Sequence, residues 1–420
     1  MDGKRIITIV LAFLMMVSVI ASGAMAGFEY QDITQAEDVD TEENDYIVRE
    51  PIRIDGNDDF AAQAADEGWP GDGSEGNPYV IEGYEINGTG YGYGIYVGNT
   101  TVHFVVRDCY VHNASGHLYG RHYYRDTGIY LNNVQRGILE NNIASSNGHG
   151  ILLWNSSRIM VDNNTVSENE AHSVYIRSST YIALTNNNLE NDSISIFGWE
   201  FKYWNTHEID TTNTINGKSV YYLKDVKGGT VPEDAGQVIL VNCEDVRVDN
   251  QKISNTRFSI SLAFSNNNTI INNSIRNNKY GIELYWSNDN AISSNHISVY
   301  GRGIYLHYSQ GNIITNNIIQ NETVYRGSYG ILVLRSNHNI IAGNNISGFE
   351  IGIGLDTSYD FEVYNNTFTN NYVDIDEQYD IENGDGWLPS IGFSFSIILI
   401  LTVALIVCKN NKNKRRNRYE

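Results

Sequence analysis

Ser259-Ile260-Ser261-Leu262, Gly281-Ile282-Glu283-Leu284 and Gly303-Ile304-Tyr305-Leu306 are one phrase written three times, 22 residues apart. A second phrase keeps the same interval: Asn272-Asn273-Ser274-Ile275, Ser294-Asn295-His296-Ile297 and Asn316-Asn317-Ile318-Ile319. A constant period of this size marks stacked repeats, because a single such unit cannot hide its apolar side chains alone.

Inside each unit apolar and polar residues alternate, which is strand periodicity. Ile, Val, Tyr and Thr fill the alternating runs. Asn, Ser and Gly, which accept turn and left-handed conformations, stand between them. No helical run of 10 residues or longer interrupts the repeats. About three short strands with three turns fit in one unit, which is a rung of a parallel β-helix. In each tetrapeptide the small first residue suits a tight corner, the second and fourth side chains point inward, and the third points outward. An Asn at an inward corner finds partners in the Asn above and below it, satisfying its amide in a column. Asn-rich disorder is the competing reading, and the strict apolar spacing argues against it.

Working outward, the phrase recurs at Gly94-Ile95-Tyr96-Val97, Gly128-Ile129-Tyr130-Leu131, Gly150-Ile151-Leu152-Leu153, Ser173-Val174-Tyr175-Ile176 and Ser193-Ile194-Ser195-Ile196. From Ser193 to Ser259 there are 66 residues, three rung lengths, so the repeat reads there as degenerate but not lost. Later rungs begin at Gly330 and Gly352. Roughly 13 rungs at a strand spacing of ~4.8 Å make a rod about 60 Å long. Pro51-Ile52-Arg53-Ile54 begins the first strand, and Asp58 or Asp59 can cap a short helix over Phe60–Glu67 that covers the open end. A charged strand in Tyr372–Asp380 closes the other end. The β-helix domain is therefore expected over 51–376. Asp55-Gly56-Asn57-Asp58-Asp59 looks like the start of a calcium loop, yet Phe60 stands where the tight-turn Gly belongs and Asp66 where the bidentate Glu belongs.

The chain carries a net charge of −22 over 420 residues, and residues 27–390 hold 48 of its 50 acidic side chains. That sign excludes nucleic acid as a natural partner. Residues 1–26, with Lys4, Arg5, an apolar run and Ala24-Met25-Ala26, read as a secretory signal, with a retained anchor as the alternative. Residues 387–408 are apolar over a membrane-spanning length and are followed by the basic tail 409–420, which would stay cytoplasmic. The same arrangement fits a sorting tail that is cut and re-anchored. Acidic linkers are expected at 27–50 and 377–386. Cys109, Cys243 and Cys408 make no disulfide framework.

The outward third positions read Tyr96, Tyr130, Leu152, Tyr175, Ser195, Ser261, Glu283 and Tyr305, and two residues further on stand Trp154, Phe197, Tyr285 and His307. Aromatic faces at the rung spacing make a ledge for sugar rings; the plain alternative is that Tyr suits exposed strands. Two insertions lengthen the corner leading into this face. His117–Arg125 brings Arg121, Tyr124 and Arg125, and Asn321–Tyr329 brings Tyr325 and Arg326. Trp199–Trp204 leaves from another corner and can pack over the degenerate middle. The expected carbohydrate-binding set is Tyr96, Tyr130, Trp154, Tyr175, Tyr285, Tyr305, Arg121, Tyr124 and Arg125. Eleven glycosylation sequons run from Asn87 to Asn365.

Trp69-Pro70-Gly71-Asp72-Gly73, Asn77-Pro78-Tyr79-Val80-Ile81-Glu82-Gly83, Asn216-Gly217-Lys218-Ser219-Val220-Tyr221-Tyr222 and Asp234–Cys243 resemble NosD-like right-handed parallel β-helix proteins, which abound on archaeal cell surfaces. The resemblance covers about Pro51 to Asp376. It implies a right-handed, single-stranded coil and membership of the carbohydrate-binding and sugar-hydrolase β-helix superfamily. It also implies that copper must be weighed. His149 and His172 lie one rung apart, but no Met-rich or Cys-His pair accompanies them, so no cofactor is expected.

Gly148-His149-Gly150 is similar to the Gly-His-Gly of polygalacturonases, with Asp126 and Arg177 on the neighbouring rungs. The other motifs of that family are missing. The sequence thus predicts a membrane-anchored, extracellular module that binds a glycan or surface-layer polymer without catalysis. A polysaccharide hydrolase or lyase using Asp126, His149 and Arg177 is the alternative, and a structural spacer or adhesin the third reading.

Overall fold

The computed structural model describes residues 46–116, 126–323 and 326–378. These wind into an all-β parallel solenoid of about 13 turns with ~22-residue rungs. Each regular turn lays one short strand on each of three faces. On the first face Ile52–Asp55, Tyr93–Gly98, Thr127–Asn132, His149–Trp154, His172–Arg177 and Ile194–Phe197 stack in parallel. Further along, Ile260, Ile282, Ile304, Ile331, Ile353 and Ile375 face one another in unbroken register. The step from Ile304 to Ile331 absorbs the Asn321–Tyr329 insertion without shifting that column.

The interior follows from strand alternation. Positions two and four of the tetrapeptides are buried, and Ile95, Val97, Ile129, Leu131, Ile282, Leu284, Ile304 and Leu306 fully so. At the corners the polar columns form as expected. Asn273, Asn295, Asn317, Asn344 and Asn366 pass one amide bond to the next, Nδ2 to Oδ1, at 2.9, 2.9, 2.9 and 3.0 Å. A second column runs through Asn268, Asn290, Asn312 and Asn339 at 3.0, 3.1 and 3.2 Å. Each Oδ1 also accepts a backbone N–H of the preceding rung, so burial leaves these amides satisfied.

The residue before each column Asn turns the corner. Asn163, Asn272 and Asn316 have φ of 52°, 56° and 56°, a region that Asn tolerates better than most residues. This explains four of the eleven sequons: the exposed corner Asn is followed by a column Asn and then Ser or Thr. Asn163, Asn267, Asn272 and Asn365 stand at such corners and are exposed. Sequon Asn residues are thus not those of the buried column.

Helix α1 (Asn57–Glu67) covers the first rung. Its N-cap is Gly56, with no side-chain cap. Asp58 and Asp59 lie in the first turn instead, correcting the capping role expected of them, and favour the helix dipole from there. Asp59 accepts the Asp55 N–H at 2.7 Å and the Gln63 amide at 3.0 Å, while Asp55 accepts from Asn99 at 2.7 Å. These carboxylates serve the helix start. Phe60 is fully buried, its ring 4.9 Å from Tyr79 and 5.3 Å from Phe104. At the far end Val373–Gln378 pairs with Ile351–Asp356.

The stretch between Ser193 and Ser259 departs from the expected three degenerate rungs. After helix α2 (Lys202–Asn205), Thr214–Ile215 turns back through Asn216-Gly217, both at positive φ, and pairs antiparallel with the start of Lys218–Lys224. That strand then pairs in parallel with Gln237–Val241. The two form a partition: Val220, Tyr222, Ile239 and Val241 join the first hydrophobic core, while Val238 and Leu240 join the second, with Tyr221 and Leu223 packed against it. The Gln237 side chain imitates a strand neighbour. Its Nε2 donates to Ile194 O at 2.8 Å and its Oε1 accepts from Ile194 N at 3.1 Å.

Trp204 seals the partition, as expected of the Trp199–Trp204 departure. It donates from Nε1 to Gly198 O at 2.8 Å, accepts the Tyr222 hydroxyl on its carbonyl, and lies 5.5 Å from the Tyr285 ring. Cys109 and Cys243 are buried free thiols, and burial pushes Cys109 up to about 11. Among the described residues no helix is long and apolar enough to cross a membrane. The segments expected as signal (1–26), spanning helix (387–408) and basic tail (409–420), and Cys408, lie outside the described residues.

Candidate functional site

The outer side of the first face differs from that of the other two. Outward positions on the second face include Ile138, Met160, Ala183, Thr269, Ala291 and Ile313 beside the charged Glu82, Arg107, Glu140 and Asp162; on the third they include Ser145, Ser167, Ser254 and Ser298 beside Tyr110, His112 and Arg276. On the first face they are largely aromatic or charged. Tyr93, Tyr96, Tyr130 and Leu152 form their own buried cluster, separate from the interior, with Trp154 and Tyr175 packed against it. Tyr96 and Tyr130 are only 1% exposed and Tyr305 7%, so these rings are the floor of the face. Trp154, Tyr175 and Tyr285 are half-buried. The Arg177 guanidinium lies 4.4 Å over Trp154. Arg121, Tyr124 and Arg125 lie outside the described residues.

The face continues across the partition. His149 and His172 stack at 5.1 Å, His172 and Phe258 at 5.7 Å, and Phe258 and Tyr280 lie 4.9 Å apart. Phe258 N donates to Ser193 Oγ at 3.3 Å. Two rung positions of the second segment are thus seated directly on the first. His149 and Arg177 occupy opposite ends of adjacent strands, roughly 16 Å apart at the strand rise. His149 N does bond Asp126 O at 3.1 Å. That bond is between the two backbones, and Arg177 stands away from both.

Two buried carboxyls belong to this region. Glu283, 3% exposed, accepts the Tyr285 hydroxyl at 3.1 Å. Burial raises it above the ordinary carboxylate range, against the pull of Arg302 and Arg257. Arg302 lies 4.4 Å over Tyr305 and 4.9 Å over Tyr280. Asp192 stands where earlier rungs place Asn147 and Asn169. Its Oδ1 accepts the Ser193 N–H at 2.7 Å, and its buried Oδ2 has no partner at hydrogen-bond distance. Burial pushes Asp192 well above the usual carboxylate value, while Arg257 opposes this. Lys279 and Tyr300 also feel its charge.

A raised folded value means that the native state holds the proton more tightly. Asp192 thus contributes stability below the ordinary carboxylate range, and that contribution is lost as pH rises through the raised value. Asp192→Asn, which restores the amide of the column, is expected to stabilise the protein by about 1–3 kcal/mol at neutral pH, the usual cost of a poorly paired buried polar group. The gain should vanish below about pH 4. Denaturation midpoints measured across that range check it, and a gain that ignores pH would refute the account.

Sequence reading missed a further aromatic column. Phe264, Trp286 and Tyr308 hold φ of 53°, 47° and 51°, unusual for bulky residues. Their rings stack at 5.0 and 6.0 Å with interplanar angles of 6° and 1°. Trp199, 58% exposed, stands edge-on to Trp286 at 5.9 Å. The 22-residue spacing of these three residues was the signal.

A parallel β-solenoid with an aromatic-rich outer face defines the class of protein. The family described as right handed beta helix region matches residues 71–230, and the family described as periplasmic copper-binding protein (NosD) matches residues 205–387. The two matches meet at the partition. Together with the parallel solenoid, the two matches support a NosD-like β-helix family. No curated protein matches it in sequence.

Among solved structures it is similar to the A-module of a mannuronan C-5 epimerase from Azotobacter vinelandii, at 14% identity over 71% of this chain and 73% of that one, TM-score 0.32. The surface adhesin PfbA of Streptococcus pneumoniae is similar at 13% identity over 73% of this chain and 90% of that one, TM-score 0.29.

The copper in the NosD description can be set against the residues present. The His149 and His172 rings are nearly parallel, 7° apart, and face-stacked, so their nitrogens do not converge on one ion. His172 Nδ1 is engaged with Ser195 Oγ at 2.7 Å. No group of three His, Cys, Asp or Glu side chains assembles among the described residues. The described residues do not fit a copper donor set.

Proposed function

We propose that this protein is an extracellular glycan-binding β-helix, held to the membrane by residues 387–408 and acting without catalysis. The observation that carries the reading is the run of aromatic rings, with Arg177 and Arg302 among them, on the outer side of the first face. Trp154, Tyr175 and Tyr285 offer the accessible rings, above a floor of Tyr96, Tyr130 and Tyr305. Rings in register along a rod suit a linear polymer such as a surface glycan or surface-layer polymer. The periplasmic description of the NosD family supports an exported location. The separation of Arg177 from Asp126 and His149 weighs against hydrolysis or elimination there.

The test is a glycan array with the full-length protein beside Trp154→Ala and Tyr175→Ala. Each variant is expected to bind the retained polymer about 3–10-fold more weakly. Release of shortened chains from that polymer would instead establish an enzyme. Failure to retain any polymer would leave a spacer or adhesin.

A further inference from the structure

Many basic side chains of the described coil are paired with carboxylates, among them Arg107 with Glu82, Lys218 with Asp234, Lys224 with Glu208 and Lys227 with Glu244. Arg257, Lys279 and Arg302 are not. They stand on three consecutive rungs, and their charged groups converge on one ring, lying 5.8, 5.6 and 4.9 Å from the centroid of Tyr280. Arg257 Nε is buried without a hydrogen-bond partner, and its Nη1 reaches the Glu170 carbonyl only at 3.4 Å. The nearby carboxyls, Asp192 and Glu283, are buried, and burial raises both above the ordinary carboxylate range. Burial and repulsion from Arg257 and Arg302 together depress Lys279.

Three cations gathered in a partly dry site repel one another unless an anion joins them. The planar guanidinium groups suit an oxyanion in particular. The cluster exists on a chain whose net charge is −22, so it is a local exception and no part of a general basic surface. We propose that Arg257, Lys279 and Arg302 form a binding site for an oxyanion carried on a glycan, a carboxylate or a sulfate ester, with the Tyr280 ring as its floor. The polymer part rests on the glycan-binding reading; the oxyanion part does not.

Full-length protein is titrated with polygalacturonate, dextran sulfate and neutral dextran, and with inorganic sulfate as the small probe. At least one acidic polymer is expected to bind tighter than dextran, and which one binds identifies the oxyanion. Arg257→Gln combined with Lys279→Gln is expected to weaken that binding about 10–100-fold and to flatten its salt dependence. Lys227→Gln, which removes a paired cation on another part of the coil, should change it less than about twofold. Equal affinity for acidic and neutral polymers would overturn the proposal. So would wild-type affinity in a folded double variant, or an equal loss in Lys227→Gln. Should no polymer bind while sulfate binds the wild type and not the double variant, the oxyanion site stands and the glycan reading fails. Binding of neutral dextran alone would do the opposite, upholding the glycan reading and removing the oxyanion site.

Discussion

Asn295→Ala is expected to destabilise the second segment of the coil by about 3–5 kcal/mol, since several buried groups lose a partner of ~1–3 kcal/mol each and relaxation recovers part. Asn295 is 1% exposed. Its Oδ1 accepts the backbone N–H and the Nδ2 of Asn273 at 3.0 and 2.9 Å. Its Nδ2 donates to Asn317 Oδ1 at 2.9 Å and Ile270 O at 3.0 Å. Alanine leaves all four contacts unmade where water has no entry. Because each turn touches only its neighbours, the damage should stay local. Amide hydrogen exchange is the check: protection should fall across residues 258–307 and persist across 93–177. A uniform loss would mean that the two cores unfold as one unit, and no loss would mean that the column is dispensable.

Trp204→Ala is expected to cost about 3–5 kcal/mol, as removal of a large buried ring usually does. Its consequence should be wider than that of Asn295→Ala, although the change lies outside every regular rung. The indole seals the first core where Val220, Tyr222 and Ile239 belong to it, and it also leans on Tyr285 of the second segment. Exchange protection is therefore expected to fall on both sides of the partition. If unfolding followed by far-UV circular dichroism separates into two transitions in this variant, the partition couples the segments. An unchanged midpoint would show that α2 is decoration.

The coil, its period and the columns were legible in the sequence. Ile260, Ile282 and Ile304 repeat at a constant stride, and only stacked strands can bury such a series. The Asn columns follow from the same count, since residues one period apart must meet. The outward direction of Tyr96, Tyr130 and Glu283 was legible for the same reason. Burial on the outer side was not, because it depends on what neighbouring side chains cover. Tyr96 and Tyr305, placed by alternation on an open ledge, form its floor.

The partition lay beyond the period altogether. A count of 66 residues from Ser193 to Ser259 equals three rungs, yet the chain spends it on a helix, a hairpin and a displaced pair of strands. That excursion is what seats Phe258 on His172 and brings Arg257 to Glu170 and Asp192. Periodicity is a property of neighbours one turn apart, and it alone determined the repeat, the inward residues and the corner Asn. Where the chain leaves the coil and returns, the contacts depend on the route through space, so the charged cluster and its buried acids were decided by the tertiary structure.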